Sequence, residues 1–201
     1  MEMKHFVVTI GREYGSKGAE IGKKLAEALG VNYYDRDLVY NAAKKLGIEA
    51  DLINEVDETI SKKTSGFDKA YGVDHTYLSN KLIEAQSSII ANVADTESCI
   101  IVGRCANFVL RDRTDCINIL IYAPFDVRVS NIMEYGMSKK EAEKLVEKVD
   151  KKRREYYLHV TGRERNELHD RQFMFDSNIL GIDGTVEELK NIIIKLHGEK
   201  A

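Results

Sequence analysis

Gly11, Gly15, Lys17 and Gly18 fall within one short stretch, GREYGSKG, between an apolar run and an amphipathic one. Glycines allow a sharp strand-to-helix turn with backbone N–H groups aimed outward, and the helix start adds a dipole that favours anions. A lysine in such a turn can neutralise the outer oxygens of a polyphosphate. The full phosphate-loop signature is G-x-x-x-x-G-K-[S/T], whose hydroxyl goes to magnesium. Gly11 and Lys17 have that separation, but Ser16 replaces the second glycine and Gly18 the hydroxyl residue. Two readings stand at this point: a loop that binds phosphate, or a glycine-rich turn with an exposed lysine.

Phosphoryl transfer is largely positioning plus neutralisation of charge spread over equatorial oxygens, so cations must converge from separate elements. Guanidinium groups suit this because they match phosphate bidentately and do not titrate. Arg104 follows an apolar run and is either ligand-facing or a rim salt-bridge partner. Arg128, in PFDVRVSNI, either borders a donor base or pairs with Asp126 or Glu134. Arg153, Arg154, Arg163 and Arg165 lie in a charge-dense segment that reads as a solvated face or as a cationic lid. Asp35 caps a helix or orients a substrate, and Tyr33, Tyr34 and Tyr40 read as core or pocket wall. Asp176–Ser177 reads as a turn or cap. Glu13 would repel phosphate unless it pairs with Arg12 or another cation.

The elements that must position these groups alternate in type. Apolar runs at 5–10, 31–35, 98–103, 116–123 and 173–177 predict five strands, several covered on both faces. Helical periodicity predicts helices over 18–29, 36–46, 49–61, 76–94, 126–135, 138–158 and 185–196, with Gly30 closing the first. This alternation implies a parallel sheet between helices. Two excursions interrupt it, at 36–95 and at 138–172. In a kinase plan the first would grip an acceptor and the second would close as a lid over transferring phosphates.

Composition narrows the function classes. A length of 201 residues suits one domain, 1–201, and a net charge of -3 argues against coating nucleic acid. Cys99, Cys105 and Cys116 are odd in number and lack metal-ligand spacing, as do the five histidines. The N-terminus reads as a strand rather than a signal peptide, and the apolar runs are too short for a bilayer. A cytoplasmic protein that does not engage membranes, with free thiols, is expected.

The chain resembles the cytidylate kinase-like family of P-loop nucleoside monophosphate kinases. The resemblance rests on GREYGSKGAEIGKKLA, YYDRDLVYNAAKKLG, IIVGRCAN, IYAPFDVRV, DKKRREYY and FDSNILGID, taken in order. It implies a three-layer P-loop kinase fold with a five-stranded parallel sheet, a helical acceptor-binding insertion and a lid. It also implies ATP with Mg2+, and a nucleotide or other small molecule, CMP or dCMP first, as acceptor. Gly11, Gly15, Ser16, Lys17, Gly18, Ala19 and Arg128 would serve the donor. Asp35, Tyr40, Arg104, Asp150 and Arg153 would border the acceptor. Lys17, Arg104, Arg153 and Arg154 would act on the transferring group. Asn41 and Cys105 replace the arginine and the acidic residue that the family places there, and Gly18–Ala19 lacks the loop hydroxyl. The metal ligands are therefore unassigned, with Ser16, Glu13 and Asp35 as substitutes. A nucleotide-binding protein without turnover, acting as a sensor or partner, is the alternative.

Overall fold

The computed structural model describes residues 3–35, 80–164 and 168–198. Five parallel strands carry it: β1 (Val7–Arg12), β2 (Asn32–Tyr34), β3 (Cys99–Val102), β4 (Cys116–Tyr122) and β5 (Phe173–Asp176), in the order β2-β3-β1-β4-β5. β1 is central, and from it the chain first winds to β2 on one side and later to β4 on the other. Open sheets of this kind bind ligands at the carboxyl ends of strands where the winding reverses. Here that place lies between the ends of β1 and β3.

The alternation of side chains along β1 separates two layers. Val8 and Ile10 pack with Ile21 and Leu25 of α1 (Gly18–Leu29) and with Leu189 and Ile193 of the last helix. Val7 faces the other way, against Ile89, Ile90 and Ala94 of α2, described over Asn80–Thr96. Each fully buried Ile or Leu contributes about 1.5–3 kcal/mol. Cutting Ile10 back to alanine would cost about 2–5 kcal/mol, because the surrounding strands cannot collapse on the void.

α3 (Ala106–Val109) is a single turn after β3. α4 (Phe125–Met133) and α5 (Lys139–Thr161) form a satellite core of Val129, Ile132, Ala142, Leu145, Val146 and Val149, which also takes in Tyr14 from the β1–α1 loop. α5 starts with a capping box: Ser138 Oγ accepts from Glu141 N, and Glu141 Oε2 accepts from Ser138 N at 2.9 Å. Gly162, at φ 68, ends it.

The strand expectations hold with ends shifted by a residue or two, and Gly30 does cap α1 in the left-handed region. The last helical stretch, α6, spans Ser177–His197 but is broken at Gly181, whose φ 65 and ψ -171 are non-helical, so its main piece starts a few residues before the expected 185. Asp176 Oδ1 accepts from Asn178 N and caps the short first piece. Helices expected over 36–46 and 49–61, the start of 76–94, Tyr40, Asn41 and Arg165 lie outside the described residues.

Candidate active site

The loop joining β1 to α1 is held from below. Ser16 is fully buried, and its hydroxyl donates to the carbonyls of Glu13 at 2.9 Å and Ile121 at 3.2 Å. Ser177 Oγ donates to the Ser16 carbonyl at 2.8 Å, and Asn131 Nδ2 to the Gly15 carbonyl at 2.8 Å. Gly15 has φ 81, and a β-carbon there would stand 2.6 Å from the Arg128 carbonyl, so glycine is required twice over. Lys17, at φ 58 and ψ 11, is itself left-handed and passes directly into α1. A left-handed lysine costs about 1–3 kcal/mol, and such strain concentrates at functional positions.

The N–H groups of Glu13, Tyr14 and Ser16 are already engaged, by Ile121 O, Asp150 Oδ1 and Glu13 O. Those three N–H groups are therefore not available to an anion at this loop. Lys17 Nζ lies 2.7 Å from Glu134 Oε2 and 5.9 Å from the Tyr135 ring. Burial works against the charged amine, but the Glu134 hydrogen bond and charge outweigh it, and its pKa is raised. A carboxylate thus rests where an anionic ligand of Lys17 would sit.

Arg128 is buried, at 8% exposure, and a buried guanidinium needs full partnership. Its Nη1 donates to Asp150 Oδ2 at 2.5 Å and to the Tyr14 carbonyl at 3.2 Å. Its Nε donates to the Ala123 carbonyl at 3.0 Å and lies 3.2 Å from Glu13 Oε2. Of the alternatives weighed for Arg128, pairing with Asp126 or Glu134 is not found, and the cation that neutralises Glu13 is Arg128 and not Arg12. Asp150 is likewise turned inward, at 8% exposure, with one oxygen on Tyr14 N and the other on Arg128. These three side chains brace the loop against α4 and α5.

Beyond β3, Gly103, Arg104 and Cys105 are successively left-handed, at φ 82, 57 and 54. The Gly103 N–H still bonds the Ile10 carbonyl at 3.0 Å, so this strained turn is pinned beside β1. It delivers Arg104 to the carboxyl edge, 5.6 Å from the Tyr156 ring. Arg153, one turn before Tyr156 on α5, lies 5.4 Å from the Tyr14 ring and donates to the Arg12 carbonyl at 3.3 Å. Arg104 and Arg153 therefore converge on one edge. Arg154 does not join them, because the next position on a helix turns about 100° away, and it is exposed. Arg163 pairs with Asp170 at 3.6 Å.

Sequence reasoning gave Arg12 only as a partner for Glu13 and passed over Arg171. The Arg12 guanidinium lies against Gly103 and that of Arg171 against Gly11. Arg12 was adjacent to a motif glycine, a usable signal; Arg171 had none, since its neighbour is distant in sequence.

Magnesium fits these residues poorly. The Ser16 hydroxyl is buried and committed to two carbonyls, which removes it as a substitute ligand. Glu13 Oε2 is held by Arg128 and by Ala123 N at 3.3 Å. Among the described residues no group of three or more His, Cys, Asp or Glu could hold a metal ion. No helix among them is long and apolar enough to cross a membrane.

A parallel sheet of this order, with a lysine-bearing glycine loop opening α1, defines a three-layer P-loop kinase fold. The chain belongs to the cytidylate kinase-like family, whose sequence profile matches residues 7–179. Among solved structures it is similar to an uncharacterized protein from Eubacterium ventriosum ATCC 27560, at 23% identity and TM-score 0.72, over 94% of this chain and 98% of that one. It also resembles a shikimate kinase from Acinetobacter baumannii in complex with shikimate, at 12% identity and TM-score 0.54, covering 98% and 97%. A gluconokinase from Sinorhizobium meliloti 1021 matches at 14% identity and TM-score 0.52, covering 98% and 95%. No curated protein matches the sequence. Family and fold together support phosphoryl transfer as the general chemistry.

Proposed function

We propose that this protein transfers the γ-phosphate of ATP to a small acceptor, with CMP or dCMP as the first candidates. The observation that carries this reading is the convergence on one sheet edge of Lys17 with Arg104 and Arg153, delivered by three separate elements. Lys17 and the start of α1 would hold the donor phosphates. Arg104 and Arg153 would neutralise charge developing on the transferred group. Asp35, just past β2, and Tyr40 would border the acceptor in the insertion 36–95. Of the segment 138–172 expected to act as a lid, α5 is packed against the loop, so closure over both, excluding water, would fall to the residues between α5 and β5. Magnesium would arrive on the ATP phosphates and screen their charge, since the loop hydroxyl of related signatures is missing.

The buried Ser16 hydroxyl favours one second reading, a nucleotide-binding sensor that lacks turnover. A coupled ADP-release assay over nucleoside monophosphates and non-nucleotide alcohols tests the proposal. Turnover with CMP that falls about 100-fold or more in Lys17→Ala is expected. Turnover unchanged in that variant would refute the role of Lys17. Thermal stabilisation by ATP without ADP release would support the sensor.

A further inference from the structure

We propose that Ser177, at the start of α6, is a positioning residue of the donor site: its hydroxyl holds the Ser16 carbonyl so that the Lys17 N–H is turned out to meet a phosphate oxygen. The nature of that ligand rests on the phosphoryl-transfer reading above.

A trans peptide carries its C=O and N–H on opposite sides, so fixing one aims the other. The Ser16 carbonyl and the Lys17 N–H belong to one peptide group. Ser177 Oγ lies 2.8 Å from that carbonyl and 3.2 Å from the Tyr122 carbonyl. A serine hydroxyl has a single hydrogen, and the shorter contact takes the larger share of it. Tyr122 is the last residue of β4, and Ser16 Oγ meets the carbonyl of Ile121 just before it. Ser177 and the Ser16 carbonyl thus lie at the carboxyl end of β4, beneath the loop. The Lys17 N–H is directed the other way, away from Ser177 and the strand end.

The preceding peptide is fixed in the same manner with a different result. Asn131 Nδ2 donates to the Gly15 carbonyl at 2.8 Å, and the N–H of that peptide, on Ser16, goes to the Glu13 carbonyl at 3.4 Å. Its donor is spent within the loop. On the far side of Lys17, the Lys17 carbonyl accepts from Ile21 N at 3.0 Å. Lys17 is therefore held at both of its peptides. A lysine at φ 58 and ψ 11 needs this, because left-handed strain persists only where the surroundings over-determine it. Without the Ser177 bond, the Ser16–Lys17 peptide can turn to relieve that strain, and the N–H turns with it.

The start of α6 sets Ser177 in place. Asp176 Oδ1 accepts from Asn178 N at 2.9 Å and caps the helix beside it. Ser177 is only 8% exposed, so solvent is poorly placed to replace its hydroxyl on the Ser16 carbonyl. A donor aimed before its ligand arrives costs no reorganisation when charge builds on the phosphates.

The test combines calorimetry with amide NMR on protein carrying isotope-labelled lysine, using a non-hydrolysable ATP analogue with magnesium. Wild-type protein should bind the analogue, and the Lys17 amide proton, identified by its loss in Lys17→Arg, should move downfield on binding. Ser177→Ala should lower analogue affinity about 10-fold, the order expected for one hydrogen bond to a charged acceptor, and abolish that shift at saturation. Ser177→Thr, which keeps the hydroxyl, should restore both. A serine that merely supports the fold would leave the Lys17 shift at saturation intact in Ser177→Ala; that result, or unchanged affinity, would overturn the proposal. If Ser177→Ala does not fold, Ser177→Cys replaces it, since a thiol is a weak donor, and the same two readouts decide. A wild type that does not bind the analogue would remove the phosphoryl-transfer reading and the proposal together. Weakened binding and a lost shift in Ser177→Ala, with no turnover by wild type on any acceptor, would remove that reading alone.

Discussion

The Asp150 carboxylate accepts the backbone N–H of Tyr14 at 2.9 Å, across 136 residues of sequence, and with its other oxygen takes Arg128. One side chain on α5 thereby fixes both the phosphate-loop backbone and the guanidinium that neutralises Glu13.

Removing that carboxylate leaves a buried cation without its main partner. Asp150→Ala should cost about 3–5 kcal/mol, measured by urea unfolding. Replacing Asp150 and Arg128 together by leucine and methionine should recover part of the loss, because no buried unpaired guanidinium remains and Glu13, partly exposed, is left to solvent. Additive losses in the double variant would show that the pair is not energetically coupled.

Glu134 competes for Lys17. The pair is only partly buried, with side-chain exposures of 23% and 61%, so Glu134→Gln should change stability by less than about 1 kcal/mol. The same substitution should tighten binding of an ATP analogue several-fold, since the donor phosphates no longer displace a carboxylate. Weaker binding in Glu134→Gln would mean that Glu134 helps to place Lys17 for its ligand.

Much of this site was readable from residue types. The apolar runs announced the strands, and the glycine spacing announced a turn with Lys17 at its end. Asp150 was legible only through the resemblance, as a residue bordering the acceptor, and its inward role was not, because its partner Tyr14 is brought near by the packing of α5 against the loop. Arg128 could not be assigned for the same reason: its partners come from the loop, from α5 and from the end of β4. The turn at Arg104–Cys105 breaks local preference outright, since nothing in either side chain favours the left-handed region. The short helical piece before Gly181 was not anticipated, because only its cap at Asp176 sets it apart from the turn expected there. Arg171 was invisible to pattern, as its contact with Gly11 depends on the sheet register.

All three cysteines are buried, and burial pushes the thiols of Cys99 and Cys116 up to about 12. Little thiolate exists at neutral pH, and thiolate is the reactive form. Native protein should react with a chromogenic disulfide reagent at pH 8 far more slowly than denatured protein, in which all three titrate. Rapid stoichiometric labelling of Cys99 or Cys116 in the native state would contradict the packing.

Asp115 sits at the opposite, amino edge of the sheet, with Arg113 and His5 as partners. The Arg113 hydrogen bond holds its pKa below the usual carboxylate value, against the opposing effect of burial. A depressed carboxyl stabilises the fold above the unfolded pKa, about 3.9, and loses that contribution as pH falls through the folded value. The stability gap between wild type and Asp115→Asn should be constant at pH 5–7 and shrink as pH drops below about 4. A gap that widens on acidification would reverse the assigned sign.

The central claim is tested most directly by following the label from γ-labelled ATP in the presence of CMP and magnesium. Transfer into CDP by the wild-type protein, reduced about 100-fold or more by Lys17→Ala, is the predicted result. Label that stays in ATP or passes only to free phosphate, across CMP and every other acceptor offered, would contradict it.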